Sequence, residues 1–128
     1  MTDWRWVTDA AALAAHGEQL AEHGGGGGLR DPGLFESAMA RPQNLAAYGE
    51  PDAATLAASY AYGLAKNHAF VDGNKRIALV VAELFLAKNG YLLQARDPET
   101  YAVFMELAAG ELSEDELAEW FRERVRRP

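Results

Sequence analysis

The stretch HAFVDGNKR, residues 68–76, gathers an imidazole, a carboxylate, an amide and two cations directly ahead of a long apolar run. Each of these groups suits the handling of a phosphate donor. Arg76 can grip phosphate oxygens through two parallel N–H donors, and Lys75 adds a point charge. Asp72 can hold Mg²⁺, an ion that prefers phosphate oxygens and few protein ligands. His68 carries the side chain whose ordinary titration lies nearest neutrality, which suits it to accept a hydroxyl proton in group transfer. Phe70, between base and carboxylate, reads as the anchor that holds the loop in the core.

A plainer reading is an interhelix turn, with Asp72-Gly73 as turn signal, Asn74 as N-cap and both cations simply solvated. The helix macrodipole counts against it. Cations in a first helical turn cost a few tenths of a kcal/mol unless an anion lies nearby. A helix N-terminus offers unpaired N–H groups, and Gly73 permits close approach of a ligand to the backbone. On the residues alone, both a phosphate site and a plain helix cap stay open.

The elements around the motif read as helices, because Ala and Leu dominate and the apolar spacing follows the helical period. WRWVT, residues 4–8, alternates as a short strand would, with Trp4 and Trp6 on one side. A helix is expected from Thr8 or Asp9 as cap to about Glu22, ended by five glycines at 24–28. That tract reads as a connecting loop, since no Lys-Ser or Lys-Thr follows it as a P-loop requires. Asp31-Pro32 opens a second helix, expected to stop near Arg41 because Pro42 follows. Residues 42–51, bounded by prolines and carrying Leu45 and Tyr48, read as an irregular or extended flap. Asp52 caps a third helix running to about Asn67, with Leu56, Tyr60 and Leu64 on one face.

Asn74 to about Asn89 forms the next helix, closed by Gly90. From Ile77 to Ala87 only Glu83 is polar, so this helix is expected at the centre of a bundle. Pro98 opens a helix through about Ala109, and Ser113 with Glu116 makes a capping box for a last helix bearing Leu117, Trp120, Phe121 and Val125. The closing RERVRRP reads as arginines complementing the macrodipole. His16 and His23 lack a third ligand at metal spacing and read as surface or core histidines.

The chain of 128 residues suits one compact domain, and it has no cysteine for disulfides, thiolate metal sites or thiol redox chemistry. The N-terminus lacks a signal-peptide pattern and no run of apolar residues spans a membrane, so a soluble, cytoplasmic protein is expected. A net charge of −7 argues against general affinity for nucleic acid or anionic membrane, and so against a nuclease built on His68, Asp72 and Asn74.

HAFVDGNKR resembles the signature of the Fic/Doc (Fido) superfamily, H-x-F-x-[DEN]-x-N-[GK]-R, which lies on a loop between two helices. GLRDPGLFESAMARPQ is similar to the segment ahead of the flap in death-on-curing (Doc) toxins, and FLAKNGY to the end of their central helix. The resemblance implies a mainly α bundle of Fic/Doc type around a buried central helix, with a short extended flap. It implies His68 as base, Asp72 as the Mg²⁺ ligand, and Gly73, Asn74, Lys75 and Arg76 as the cradle for ATP. It also implies that Leu45 and Tyr48, on a flap over 42–48, clamp an extended segment of the target by strand addition.

Most members of the superfamily transfer AMP to a hydroxyl and carry glycine before the final arginine. Doc toxins carry lysine there, as this chain does at Lys75, which implies that the γ-phosphate faces the target. The implied activity is that of a protein kinase acting on a translation factor like elongation factor Tu. Gly73 stands where the best-known Doc pattern has alanine and AMP-transferring members usually have glycine, so AMP transfer remains the alternative. No Ser or Thr is followed four positions later by Glu, so the family's inhibitory S/T-x-x-x-E-[GN] helix is missing. A small Phd-like antitoxin acting in trans is the partner this implies, folding on the toxin surface. A catalytically idle nucleotide- or antitoxin-binding module is the remaining alternative.

Overall fold

A computed structural model describes residues 3–128, which form six helices and a two-stranded ribbon. In order these are α1 (Asp9–His23), α2 (Pro32–Ala47), α3 (Ala53–Asn67), α4 (Asn74–Lys88), β1 (Leu92–Leu93), α5 (Asp97–Ala108), α6 (Glu114–Arg124) and β2 (Val125–Arg126). The helix starts follow side-chain caps legible in the sequence. Thr8, Asp31, Asp52 and Ser113 each accept a hydrogen bond from an amide of the first turn, and Ser113 with Glu116 forms the expected capping box.

The central helix is α3 rather than α4. Eleven of the 15 residues of α3 are buried, against six of 15 in α4, and α3 packs on α2, α4, α5 and α6. Its alanines and Gly63 explain the position, because small side chains let neighbours approach on every face. On α4 the larger apolar residues do not close a full ring: Leu84 is exposed, and Leu79 and Val80 are half-buried. The buried apolar side chains form one cluster, in which Phe85 meets Trp4, Trp6 and Tyr60 at ring separations of 5.4–5.7 Å.

Two other expectations about the backbone are corrected. Residues 4–8 form no strand, although Trp4 and Trp6 do share a side on Phe85. The side-chain amide of Asn89 substitutes for a partner strand, accepting from the Arg5 N–H and donating to its carbonyl at 2.9 Å each. The Tyr60 hydroxyl takes the Val7 N–H at 3.1 Å, and burial pushes that phenol up to about 12. Further on, α2 does not stop at Arg41 but runs through Pro42 to Ala47. An interior proline costs roughly 3 kcal/mol in an isolated helix. Here Pro42 is fully buried, and Arg41 reaches the Glu114 carboxylate on α6, so tertiary contacts hold the turn helical. The flap expected over 42–48 is therefore mostly helix, and only Tyr48 and the few residues after it are irregular.

The chain end also differs from expectation. Val125 leaves the helix and pairs with Leu93, while Arg126 pairs with Leu92, in an antiparallel ribbon too short to leave a periodic signature. No helix among the described residues is long and apolar enough to cross a membrane.

Candidate active site

The loop between α3 and α4 is fixed residue by residue. His68 ends α3 with φ of 49°, the only left-handed residue other than glycine among those described. Arg30 holds that turn by donating from Nε and Nη2 to the His68 carbonyl, at 3.0 and 2.5 Å. The Ala69 carbonyl accepts from the amides of Arg30 and Asp31 at 2.7 and 3.0 Å. Phe70 then drops into the core, stacked on His16 at 3.8 Å and edge-on to Phe35 at 5.5 Å. The His68 side chain, by contrast, is exposed and makes no hydrogen bond to the described residues.

Asn74 does not cap α4 as the plain turn reading required. Its side-chain amide closes the loop, accepting from the Phe70 N–H at 3.1 Å and donating to the Phe70 carbonyl at 3.0 Å. Gly73 occupies the cap position with φ of 81° and offers no side-chain acceptor. Two consequences follow for the first turn of α4. Its amides keep their donors free of any side-chain cap, and both cations stand where the macrodipole is least favourable to them. Among the described residues neither Lys75 nor Arg76 has a carboxylate partner. The Lys75 ammonium lies 3.3 Å from the thioether of Met105, a weak acceptor.

This turn opens on a cleft of about 570 Å³ between α4 and α5. Gly73, Asn74, Lys75 and Arg76 form its polar end, and Leu79, Tyr101, Phe104 and Met105 give it an apolar wall. Anions are favoured at one end and a flat apolar group along the other.

Asp72 is exposed, and its Oδ2 accepts from the Gly26 N–H at 2.7 Å. The glycine tract can lie this close only without side chains, since a Cβ at Gly26 would fall 2.9 Å from Val71 Cγ1. The second carboxylate oxygen is left as a ligand. The described residues hold no cluster of three or more His, Cys, Asp or Glu that would cage a metal. One carboxylate beside an anion-favouring turn is a donor set that fits Mg²⁺ delivered with phosphates, and not zinc.

The structure thus brings His68, Asp72, Gly73, Asn74, Lys75 and Arg76 onto one loop and helix start. It does not bring Leu45 and Tyr48 to them. Leu34, whose carbonyl accepts from Asn67 at 3.0 Å, marks the motif end of α2. Leu45 lies eleven residues further along α2, about 16 Å at the helical rise. Leu45 and Tyr48 line a separate cleft with Arg41, Asn44 and Glu50. Three partners of the motif escaped sequence reasoning: Arg30, the Gly26 amide and His16. The sequence held one hint of the third, a lone histidine four residues after Ala12 on the buried face of α1.

A helix pair joined by such a loop, inside a helical bundle, defines the Fic/Doc class. The family model described as "Fic/DOC family" matches residues 6–86, and the chain belongs to that family. The chain is 36% identical over 120 residues to "Protein kinase doc" of Escherichia phage P1, covering 92% of this chain and 94% of that protein. It is 47% identical over 70 residues to "Toxin Doc" of Mycolicibacterium smegmatis, covering 52% of this chain and 53% of that one.

Proposed function

We propose that this protein is a Doc-type toxin that transfers the γ-phosphate of ATP to a hydroxyl side chain of a translation factor like elongation factor Tu. The observation that carries the reading is the start of α4, where two cations without a carboxylate partner among the described residues flank an uncapped helix N-terminus beside an exposed histidine. The likeness to a relative named a protein kinase supports it. In this reading the target oxygen attacks the γ-phosphorus, the bond to the β–γ bridging oxygen breaks, and ADP leaves. His68 takes the hydroxyl proton. Lys75, Arg76 and the amides of the first turn of α4 hold the phosphates and stabilise charge as it moves toward the leaving group. Asp72 would hold Mg²⁺, which supplies charge neutralisation on the phosphates when bound.

Gly73 bears on the rival reading, AMP transfer. Its φ of 81° strains any L side chain, and a Cβ there would lie 3.4 Å from His16 Nε2. Backbone geometry alone accounts for the glycine, so its identity carries no weight for donor orientation. The side chain that fills the cradle is Lys75, and it favours phosphate transfer. With no inhibitory motif in the sequence, restraint falls to a Phd-like antitoxin in trans.

Labelled ATP tests the reading, with Mg²⁺ and a cell lysate. Retention of γ-label on a protein, and its loss in His68→Asn, is the expected result; Asn tolerates the left-handed backbone at this position. Retention of α-label instead would assign AMP transfer. Labelling that persists in the variant would remove His68 from the mechanism. Wild type as harmless as His68→Asn on expression without an antitoxin would favour the idle module.

A further inference from the structure

We infer that His16, on α1 and outside the motif, is a positioning residue that aims the Gly73 amide into the phosphate cradle; this rests on the function proposed above. His16 is 3% exposed, with Nε2 2.7 Å from the Asp72 carbonyl oxygen. A carbonyl only accepts, so Nε2 carries the proton and donates. The ring is held flat on Phe70 at 3.8 Å, and Gly73 sits over its edge.

Peptide planarity carries the consequence to the site. The Asp72 carbonyl and the Gly73 N–H belong to one trans peptide and point in opposite directions. Pinning the oxygen against α1 therefore turns the N–H away from α1. Gly73 lines the α4–α5 cleft, and its N–H finds no acceptor among the described residues. An exposed motif loop has few other means to hold this peptide. Asn74 ties the two sides of the loop together at Phe70, and Gly26 holds the Asp72 side chain rather than its backbone. Without the His16 bond, the glycine at the left-handed position is free to rotate the peptide plane, and the amide loses its aim.

Two substitutions separate the donor from the ring. His16→Phe keeps an aromatic of similar size on Phe70 and removes the donor, whereas His16→Gln keeps an N–H donor and loses the ring. The first measurement needs no nucleotide. In ¹⁵N-labelled wild type, long-range proton–nitrogen spectra are expected to place a proton on His16 Nε2. In His16→Phe the Gly73 and Asn74 amide resonances are expected to move and their hydrogen exchange to quicken, with those of α6 unchanged. Unmoved Gly73 and Asn74 resonances in His16→Phe would overturn the inference, whether or not the chain uses ATP.

The second measurement is MgATP titration of the same samples. His16→Phe is expected to bind about three- to tenfold more weakly, the worth of one hydrogen bond, with His16→Gln in between and melting temperatures close together. Equal affinity in wild type and His16→Phe would overturn the functional role of the bond. Wild type that fails to bind MgATP at all would instead overturn the proposed function, with the free-protein spectra still deciding whether His16 sets the peptide.

Discussion

The two ends of α3 handle charge in opposite ways. At the N-terminal end Asp52 caps the helix through the Thr55 amide at 2.9 Å and takes the Arg122 guanidinium at 2.7 and 3.2 Å. Arg122 also reaches Glu119, so the charges there neutralise one another. At the C-terminal end, across the motif loop, Lys75 and Arg76 have no carboxylate partner among the described residues and the helix they begin has no side-chain cap. One end spends its polar groups on holding α3 to α6. The other leaves them open, at a cost to stability that a bound phosphate would reverse. Between these two ends of α3, paired charge goes with helix packing, and unpaired charge goes with an uncapped helix start.

The contrast is broken most severely at His68, the proposed base. His68→Asn is expected to lower transfer by at least about a hundredfold, the usual contribution of a general base, while shifting stability by less than about 0.5 kcal/mol. Transfer assays with labelled ATP and a thermal melt read the two effects separately. Next in size is Lys75→Met, which keeps an aliphatic chain beside Met105 but removes the charge. MgATP affinity is expected to fall about tenfold or more, as for loss of a charge-assisted contact. Stability should rise by a few tenths of a kcal/mol, because a cation leaves the positive end of a helix. A variant that lost both affinity and stability would show that Lys75 is structural.

The helices were largely legible because their caps are local: Thr8, Asp31, Asp52 and Ser113 each sit within three residues of the amide they cap. The motif was legible because nine consecutive residues carry its chemistry. What failed to show depends on distant partners. Pro42 reads as a stop until its burial against the rest of the bundle is known, and with it went the extended flap and the placement of Leu45 and Tyr48. An apolar α4 was a sound reason to expect the central helix, yet the alanines of α3 pack closer on more sides. His16 bonds a residue 56 positions away, and Gly26 one 46 away, so no spacing rule connects either to the loop.

At the paired end the effects fall on stability alone. Asp52→Ala removes a helix cap and an ion pair together and is expected to cost about 1–2 kcal/mol, most of it from the cap, since a half-exposed pair is worth little. Asp52→Asn retains capping and isolates the pair, so its cost should stay below about 1 kcal/mol. Neither variant should alter MgATP affinity, and a change in affinity would mean that the two ends of α3 are coupled.

The smallest effect is the pH dependence of that same pair. The Arg122 guanidinium bonded to Asp52 holds its carboxyl well below the ordinary value of 3.8. Because the folded form binds its proton less readily than the unfolded chain, the carboxylate contributes stability above about pH 4. That contribution is lost as the pH falls below the unfolded value toward the lower folded one. Wild type should therefore lose part of its advantage over Asp52→Asn between about pH 4 and 2, with the difference constant at higher pH. Thermal melts of both proteins over that range measure it. An advantage that persisted unchanged into acid would mean that the Asp52–Arg122 pair contributes nothing beyond the cap, and that the neutralised end of α3 owes its hold on α6 to apolar packing alone.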